Sequence, residues 1–420
     1  MLRKFSPTIT LLVLLCLSLC ARSQVALIAS AGTPNGIYST LKQAFDGINA
    51  GTHNGTINII VAGNITETAE VVLNASGTGS SNYTSVAIRP QGTTTISGNI
   101  PNGPLITLNG SNNVTIDGSA SGTDSRDLTI QNNSTTSSNV LVIGSVGTTP
   151  INNVTLKNTI LINGANSSTA MILGDAALPG NPGYFSNITI QNNNIRKAYI
   201  GIYAYAVVSA LLNNLDVLEN DINSTGAVAI RLVGIYAQGV NGLNIRDNNV
   251  GNFEGANAEF DRAIWLATAT KNATISGNII SGLHYTGTSS YAPIGINLSS
   301  GITNANIVAE NNTITDLSSS GTGNTMGMFI YSAMSRLTVR NNRVSNIRNT
   351  NISGYGAAGI MLAPTINTAD TRVHNNFVWG ISSYGFNGSD ASDNANGIVV
   401  DGGGGISIDF NTVSMNVNPT

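Results

Sequence analysis

Cysteine is nearly absent from this sequence. Cys16 and Cys20 are the only two, and both lie within the first 23 residues. The rest of the chain can build neither a disulfide framework nor a thiolate metal site. Charge is scarce as well. Asp, Glu, Lys and Arg make up 9% of the chain, against about 25% in an ordinary soluble domain. The net charge of −3 leaves no basic footprint, so no nucleic-acid partner is expected. Long apolar runs are missing too. The one candidate, Ile9 to Leu19, is shorter than the roughly 20 residues a membrane span requires.

That short run has a different reading. Arg3 and Lys4 precede it, and Ala21-Arg22-Ser23 follows with small residues where a signal peptidase reads. Residues 1–23 are therefore predicted to be a secretory signal cleaved after Ser23. Leu19 stands where a lipoprotein signal at Cys20 wants a small residue. The mature chain has no membrane span, and it is expected to be secreted or on the outer cell surface. Without disulfides it must rely on core burial and hydrogen bonds, and nearly 400 residues suffice for that.

Glycine and asparagine are abundant: 46 residues are Gly, and roughly one in seven is Asn, well above average usage. The asparagines recur in a nine-residue unit. It reads NITIQNNNI from Asn187, NLDVLENDI from Asn214, GLNIRDNNV from Gly242 and NATISGNII from Asn272. It returns as NIVAENNTI from Asn306, RLTVRNNRV from Arg336, DTRVHNNFV from Asp370 and GISIDFNTV from Gly405. Place seven is always Asn: Asn193, Asn220, Asn248, Asn278, Asn312, Asn342, Asn376 and Asn411. The intervals are 27, 28, 30, 34, 30, 34 and 35 residues, as in stacked repeat architectures. Places two and four are mostly apolar, and three and five mostly polar. That period of two predicts a strand with one buried face. A second strand recurs between the units, as in Gly201-Ile202-Tyr203, Gly295 to Leu298, Gly359 to Leu362 and Gly397 to Val400.

Two or three short strands per coil, with no helical segments between them, predict an all-β, right-handed parallel β-helix. The place-seven asparagines are assigned to a turn, where Asn tolerates left-handed backbone angles. Stacked in register, they would form an amide ladder, with Ile280, Ile314 and Val344 pointing inward. Before the repeats, Leu41, Ala44, Phe45 and Ile48 share one helical face after a possible N-cap at Ser39. A helix over 40–48 would cover the first coil, because an open coil edge templates aggregation. The predicted organisation is a signal over 1–23, a cap region over 24–55 and a β-helix over 56–420. Only Ser414 to Thr420 follow the last unit, so the solenoid is expected to be truncated at its C-terminus.

Asn113-Val114-Thr115-Ile116-Asp117-Gly118 and the later Asn-rich units resemble the right-handed β-helix superfamily that includes pectate lyases and polygalacturonases. The opening from Tyr38 to Thr84 is similar to large secreted or surface proteins of Bacteroidetes-type bacteria. The resemblance implies a β-helix followed by adhesion-like modules and a C-terminal sorting domain of the type IX route. No such sorting domain is visible in this sequence. The clustered aspartates, Gly-His-Gly and Arg-Ile-Lys segments of polygalacturonases are also missing.

Candidate chemistry is thin. Place five is outward-facing and carries Glu310, Arg340, His374 and Asp409, with Arg372 two residues before His374. Coils about 4.8 Å apart would align these groups. His374 beside Asp409, flanked by Arg340, could in principle act as a base with a carboxylate clamp. The plainer reading is a solvated charge row, and earlier coils hold Gln191, Leu218, Arg246 and Ser276 there. His53 and His284 read as solvated turn residues. Asp216, Glu219 and Asp221 fall in one unit, too few for the six to eight oxygens of a calcium site. Asn64 and Asn187 match a glycosylation triplet by coincidence of composition. Tyr203, Tyr205 and Tyr236 could form a sugar-stacking surface or pack between coils. No cofactor or metal is called for.

The sequence therefore points to a non-catalytic structural module, or one that binds polysaccharide or cell-surface components. The alternative is a polysaccharide lyase or glycoside hydrolase of the pectate-lyase-like type. Clustered carboxylates and basic groups in a groove would distinguish it.

Overall fold

Each nine-residue unit carries a backbone bend at its first and sixth places. In the computed structural model, which describes residues 24–208, 213–353, 355–386 and 391–415, place one is left-handed in every unit. Asn187, Asn272 and Asn306 have φ of 52°, 51° and 51°. Place six is left-handed as well: Asn311, Asn341 and Asn375 each have φ of 56°. Asn and Gly adopt this region at least cost, which explains why they recur there. The ladder asparagines at place seven have ordinary backbone angles. The left-handed turn expected of them belongs one residue earlier.

Between the two bends runs a four-residue strand such as Ile307–Glu310, Leu337–Arg340 or Thr371–His374. These strands stack in parallel without a register shift, Ile307 on Leu337 on Thr371. They form the first of three sheets, with 14, 12 and 11 strands among the described residues. The second sheet starts just past the ladder asparagine, as in Thr313–Ser319 and Arg343–Asn349. The third holds the glycine-led strands, such as Ile294–Leu298, Thr325–Ser332 and Ala357–Pro364. The result is a right-handed parallel β-helix of about 11 turns. Ile280, Ile314 and Val344 are fully buried inside it.

The asparagine ladder forms as the spacing predicts. From Asn193 to Asn376, each ladder residue donates its backbone N–H and its Nδ2 to the Oδ1 of the next, at 2.9 to 3.1 Å. The second Nδ2 hydrogen reaches a main-chain carbonyl of the preceding coil, as from Asn312 to Ile275 O at 2.9 Å. Buried amides are tolerable only when both ends are satisfied. Thr159 precedes Asn193 in the row and donates its Oγ1 to Asn193 Oδ1 at 2.7 Å.

The N-terminal end is closed. Helix α1, Leu41–Asn49, buries Leu41, Ala44, Phe45 and Ile48. It is the only α-helix among the described residues. Its N-cap is Thr40, not Ser39: the Thr40 hydroxyl accepts from Gln43 N at 3.2 Å. The Gln43 side chain accepts in turn from Ser39 N at 3.0 Å. Buried Glu67 adds a second cap, accepting from Leu41 N at 2.7 Å. Burial raises its pKa, and the Leu41 and Lys42 amides pull it back. A hairpin of Val25–Gly32 and Asn35–Tyr38 also packs antiparallel onto His53–Val61, an element the sequence did not suggest. At the other end, Ile406–Asp409 and Thr412–Ser414 are edge strands. No helix or domain covers them among the described residues, and Phe410 is 88% exposed. Residues 1–23 lie outside the described residues.

Candidate functional site

The charged row aligns as its spacing requires. Glu310, Arg340, His374 and Asp409 are successive register partners on the outer face of the first sheet. They do not assemble into a reacting group. Arg340 Nε donates to Glu310 Oε2 at 2.6 Å. His374 Nδ1 faces Asn375 Nδ2 at 3.2 Å. Asp409 accepts from the Ser407 hydroxyl. No hydrogen bond or ion pair joins His374 to Asp409. Arg372 borders two open depressions of about 310 and 570 Å³ beside Asp370, with no wall to hold a substrate against His374.

The other singled-out residues have separate employments. His53 is not solvated: it is buried, with Nε2 2.6 Å from the Tyr38 hydroxyl and Nδ1 2.7 Å from Thr33 O. Asp216 accepts from Asn244, Glu219 from Gln191, and Asp221 from Arg126, which reaches it at 2.5 Å. Those three carboxylates diverge. Among the described residues no three His, Cys, Asp or Glu side chains are placed to hold a metal. Asn64 accepts from Thr95 N, and Asn187 stands in an exposed second ladder between Asn153 and Asn214.

A different column crosses the outer face of the third sheet. Tyr203, Tyr236, Trp265, Asn297 and Phe329 are register partners on five successive coils. The rings of Tyr203 and Tyr236 stack 5.0 Å apart at 9°, and Trp265 stands at 87° to Tyr236. The faces of Tyr203 and Tyr236 thus pack against each other between coils, one of the two uses expected of them. The Tyr236 hydroxyl bonds Gln238, and burial pushes its pKa up to about 12. Tyr205 meets Tyr203 edge-on at 6.1 Å. Arg262 lies over Trp265, 4.1 Å from the ring centroid, and donates to Asn297 Oδ1 at 3.0 Å. It forms no ion pair with a described carboxylate, and burial pulls its pKa down to about 10.

Sequence reasoning missed a cleft at the junction of the second and third sheets. Glu254, His284 and Ser318 are register partners on three coils. His284 is thus on a strand, not in a turn. Its Nδ1 is 2.7 Å from Ser318 Oγ, and its Nε2 is 3.4 Å from Asp316 Oδ2. Glu254, His284 and Asp316 line a cleft of about 570 Å³ with Thr225, Asn252 and Thr286. A smaller pocket of about 70 Å³ adjoins it, sharing Gly226, Ala229, Glu254 and Gly255. Arg231 and Asp261 line that inner pocket. Arg231 is held by Glu259 through two bonds of 2.6 and 3.0 Å. Asp261 is 5% exposed. Burial, then nearby Glu259, pushes its pKa up to about 8, against the pull of Arg231 and Arg262.

No protein-family model matches the chain. No curated protein matches it. Several solved structures are similar in fold. The A-module of a mannuronan C-5 epimerase from Azotobacter vinelandii is 14% identical, covering 89% of this chain and 94% of its own, with a TM-score of 0.40. PfbA, a surface adhesin of Streptococcus pneumoniae, is 14% identical over 77% of this chain and 87% of its own, with a TM-score of 0.34. An endo-xylogalacturonan hydrolase from Aspergillus tubingensis is 10% identical over 90% and 91%, with a TM-score of 0.21. An adhesin, an epimerase and a hydrolase thus appear among chains of one architecture, and these likenesses concern the fold alone.

Proposed function

We propose that this chain is a non-catalytic β-helix module of a secreted or cell-surface bacterial protein, and that it holds polysaccharide on the outer face of its third sheet. The observation that carries this reading is the column of Tyr203, Tyr236 and Trp265, with Arg262 lying on Trp265 and joined to no carboxylate. Aromatic bodies with polar tips suit a ligand that is part apolar and part hydroxyl. Gln238, Asn297 and Ser299 add hydrogen-bonding groups beside the rings. Export is supported by the basic start and short apolar run of residues 1–23. A cap over 24–55 and a solenoid over 56–420 complete the proposed organisation, and the Bacteroidetes-type assignment rests on resemblance.

The test is affinity electrophoresis of the purified chain in gels containing pectin, alginate or neutral glucans. At least one polymer should retard it, and Trp265→Ala should weaken that retardation about tenfold. Retardation by none, or equal retardation of the variant, would sink the proposal.

A further inference from the structure

We infer that the cleft formed by Glu254, His284, Asp316 and Asp261 binds a protonated amine carried by an amino sugar. No ring of the aromatic column lines this site, and the inference does not depend on the reading given above. Its charge balance is negative. Glu254 and Asp316 present carboxylates to the cleft. The one guanidinium, on Arg231, is already matched by Glu259 through two bonds of 2.6 and 3.0 Å. His284 is held between Ser318 and Asp316 at 2.7 and 3.4 Å.

Asp261 supplies an independent sign that something is bound. It is 5% exposed and lines the inner pocket, yet its carboxyl makes no hydrogen bond or close ion pair with a described group, and only the longer-range fields of Arg231 and Arg262 act on it. A buried polar group without a partner is costly, and a charged one more so. A ligand bearing several donors would satisfy it. An ammonium offers three. A metal ion fits less well, because no three described carboxylate or imidazole groups converge on one point. The remaining lining consists of small, hydrogen-bonding side chains, such as Thr225, Thr286, Asn166 and Asn257. These match ring hydroxyls better than an apolar body. The cleft volume of about 570 Å³ is within the usual range for a small-molecule site.

The unliganded Asp261 holds its proton near neutrality, so an arriving ammonium should displace that proton. The test is titration calorimetry at pH 5.5 with glucosamine and a de-N-acetylated chitosan oligomer. The amino groups of both probes are largely protonated at this pH, and Asp261 still holds its proton. Both probes should bind, and their N-acetylated forms should bind at least tenfold more weakly. Repeating the titration in buffers of different ionisation heat should show proton release, which Asp261→Asn abolishes. Glu254→Gln and Asp316→Asn, both at exposed positions, should each weaken binding by a factor of several while melting like the parent. Trp265→Ala should leave it unchanged. Equal binding of the N-acetylated forms, no binding at all, or equal binding of methylammonium would overturn the assignment.

Discussion

Gly327 and Val344 occupy one shared space between adjacent coils. A Cβ on Gly327 would lie 2.4 Å from Val344 Cγ1 and 2.6 Å from the carbonyl oxygen of Gly359. The same relation links Gly359 to Val378 and Gly397 to Val413. Thus in these coils the glycine near the start of the third-sheet strand and the apolar residue at place nine of the next unit fit each other. Two recurrences that look separate in the sequence are one packing contact.

Gly327→Ala should therefore overpack the core at a cost of about 1–3 kcal/mol. Adding Val344→Ala should relieve part of it, so the double variant is more stable than the sum of the two single losses predicts. Urea unfolding of the four proteins measures this. An unchanged midpoint for Gly327→Ala would refute the contact.

Asn312 is the acceptor for two donors of Asn278, at 3.1 and 2.9 Å. Asn312→Ala strands them in the interior, and we expect a loss of about 2–5 kcal/mol from unsatisfied buried groups. Asn306 stands in the exposed ladder with φ of 51° and bonds Asn272 at 2.9 Å. Asn306→Gly keeps the backbone angle open and should change stability by less than about 0.5 kcal/mol. Equal losses in the two variants would show that the buried ladder has no special weight.

Asp261 should give the chain a pH-dependent stability. Its folded pKa of about 8 lies above the unfolded carboxyl value of about 3.9. Between these limits the folded state keeps a proton that the unfolded state releases. Stability from this group is therefore fully present below about pH 4 and is lost as pH rises toward 8. Asp261→Asn should flatten that part of the profile. Melting temperatures measured from pH 4 to 9 for both proteins decide it, and parallel profiles would exclude the effect.

His374 should be dispensable. It shares no hydrogen bond or ion pair with its register partner Asp409, and proton abstraction from a sugar needs a base, a charge stabiliser and a held substrate together. The purified chain should release no unsaturated or reducing sugar from pectin or alginate. His374→Ala should leave carbohydrate binding nearly unchanged. Depolymerisation that disappears in this variant would instead favour a lyase or hydrolase.

Much of the solenoid was legible because its signals repeat. Alternation across places two to five gave the first sheet, and the invariant Asn at place seven gave the ladder. The bend was harder to place, since Asn311-Asn312, Asn341-Asn342 and Asn375-Asn376 put two asparagines side by side. One turns and the other stacks. Gly277 at place six, preceding Asn278, was the clue to which is which. The cleft escaped notice for a physical reason. Glu254, His284 and Asp316 sit on different coils, and the charged residues around Asp261 come from two successive coils, Arg231 ahead of Val233–Gln238 and Glu259 ahead of Arg262–Leu266. Periodicity reports what every coil does alike; a site made where individual coils depart from the repeat is silent in it.

Each rung of the ladder bonds mainly to its immediate neighbours, and all the amides point the same way along the axis. A whole coil inserted between two others would accept from one rung and donate to the next without altering either. Gene duplication of one unit could therefore lengthen the molecule by roughly 5 Å per added turn, with no new interface to evolve. The length of the solenoid would then vary by copying, while the loops that distinguish one coil from another remain free to diverge.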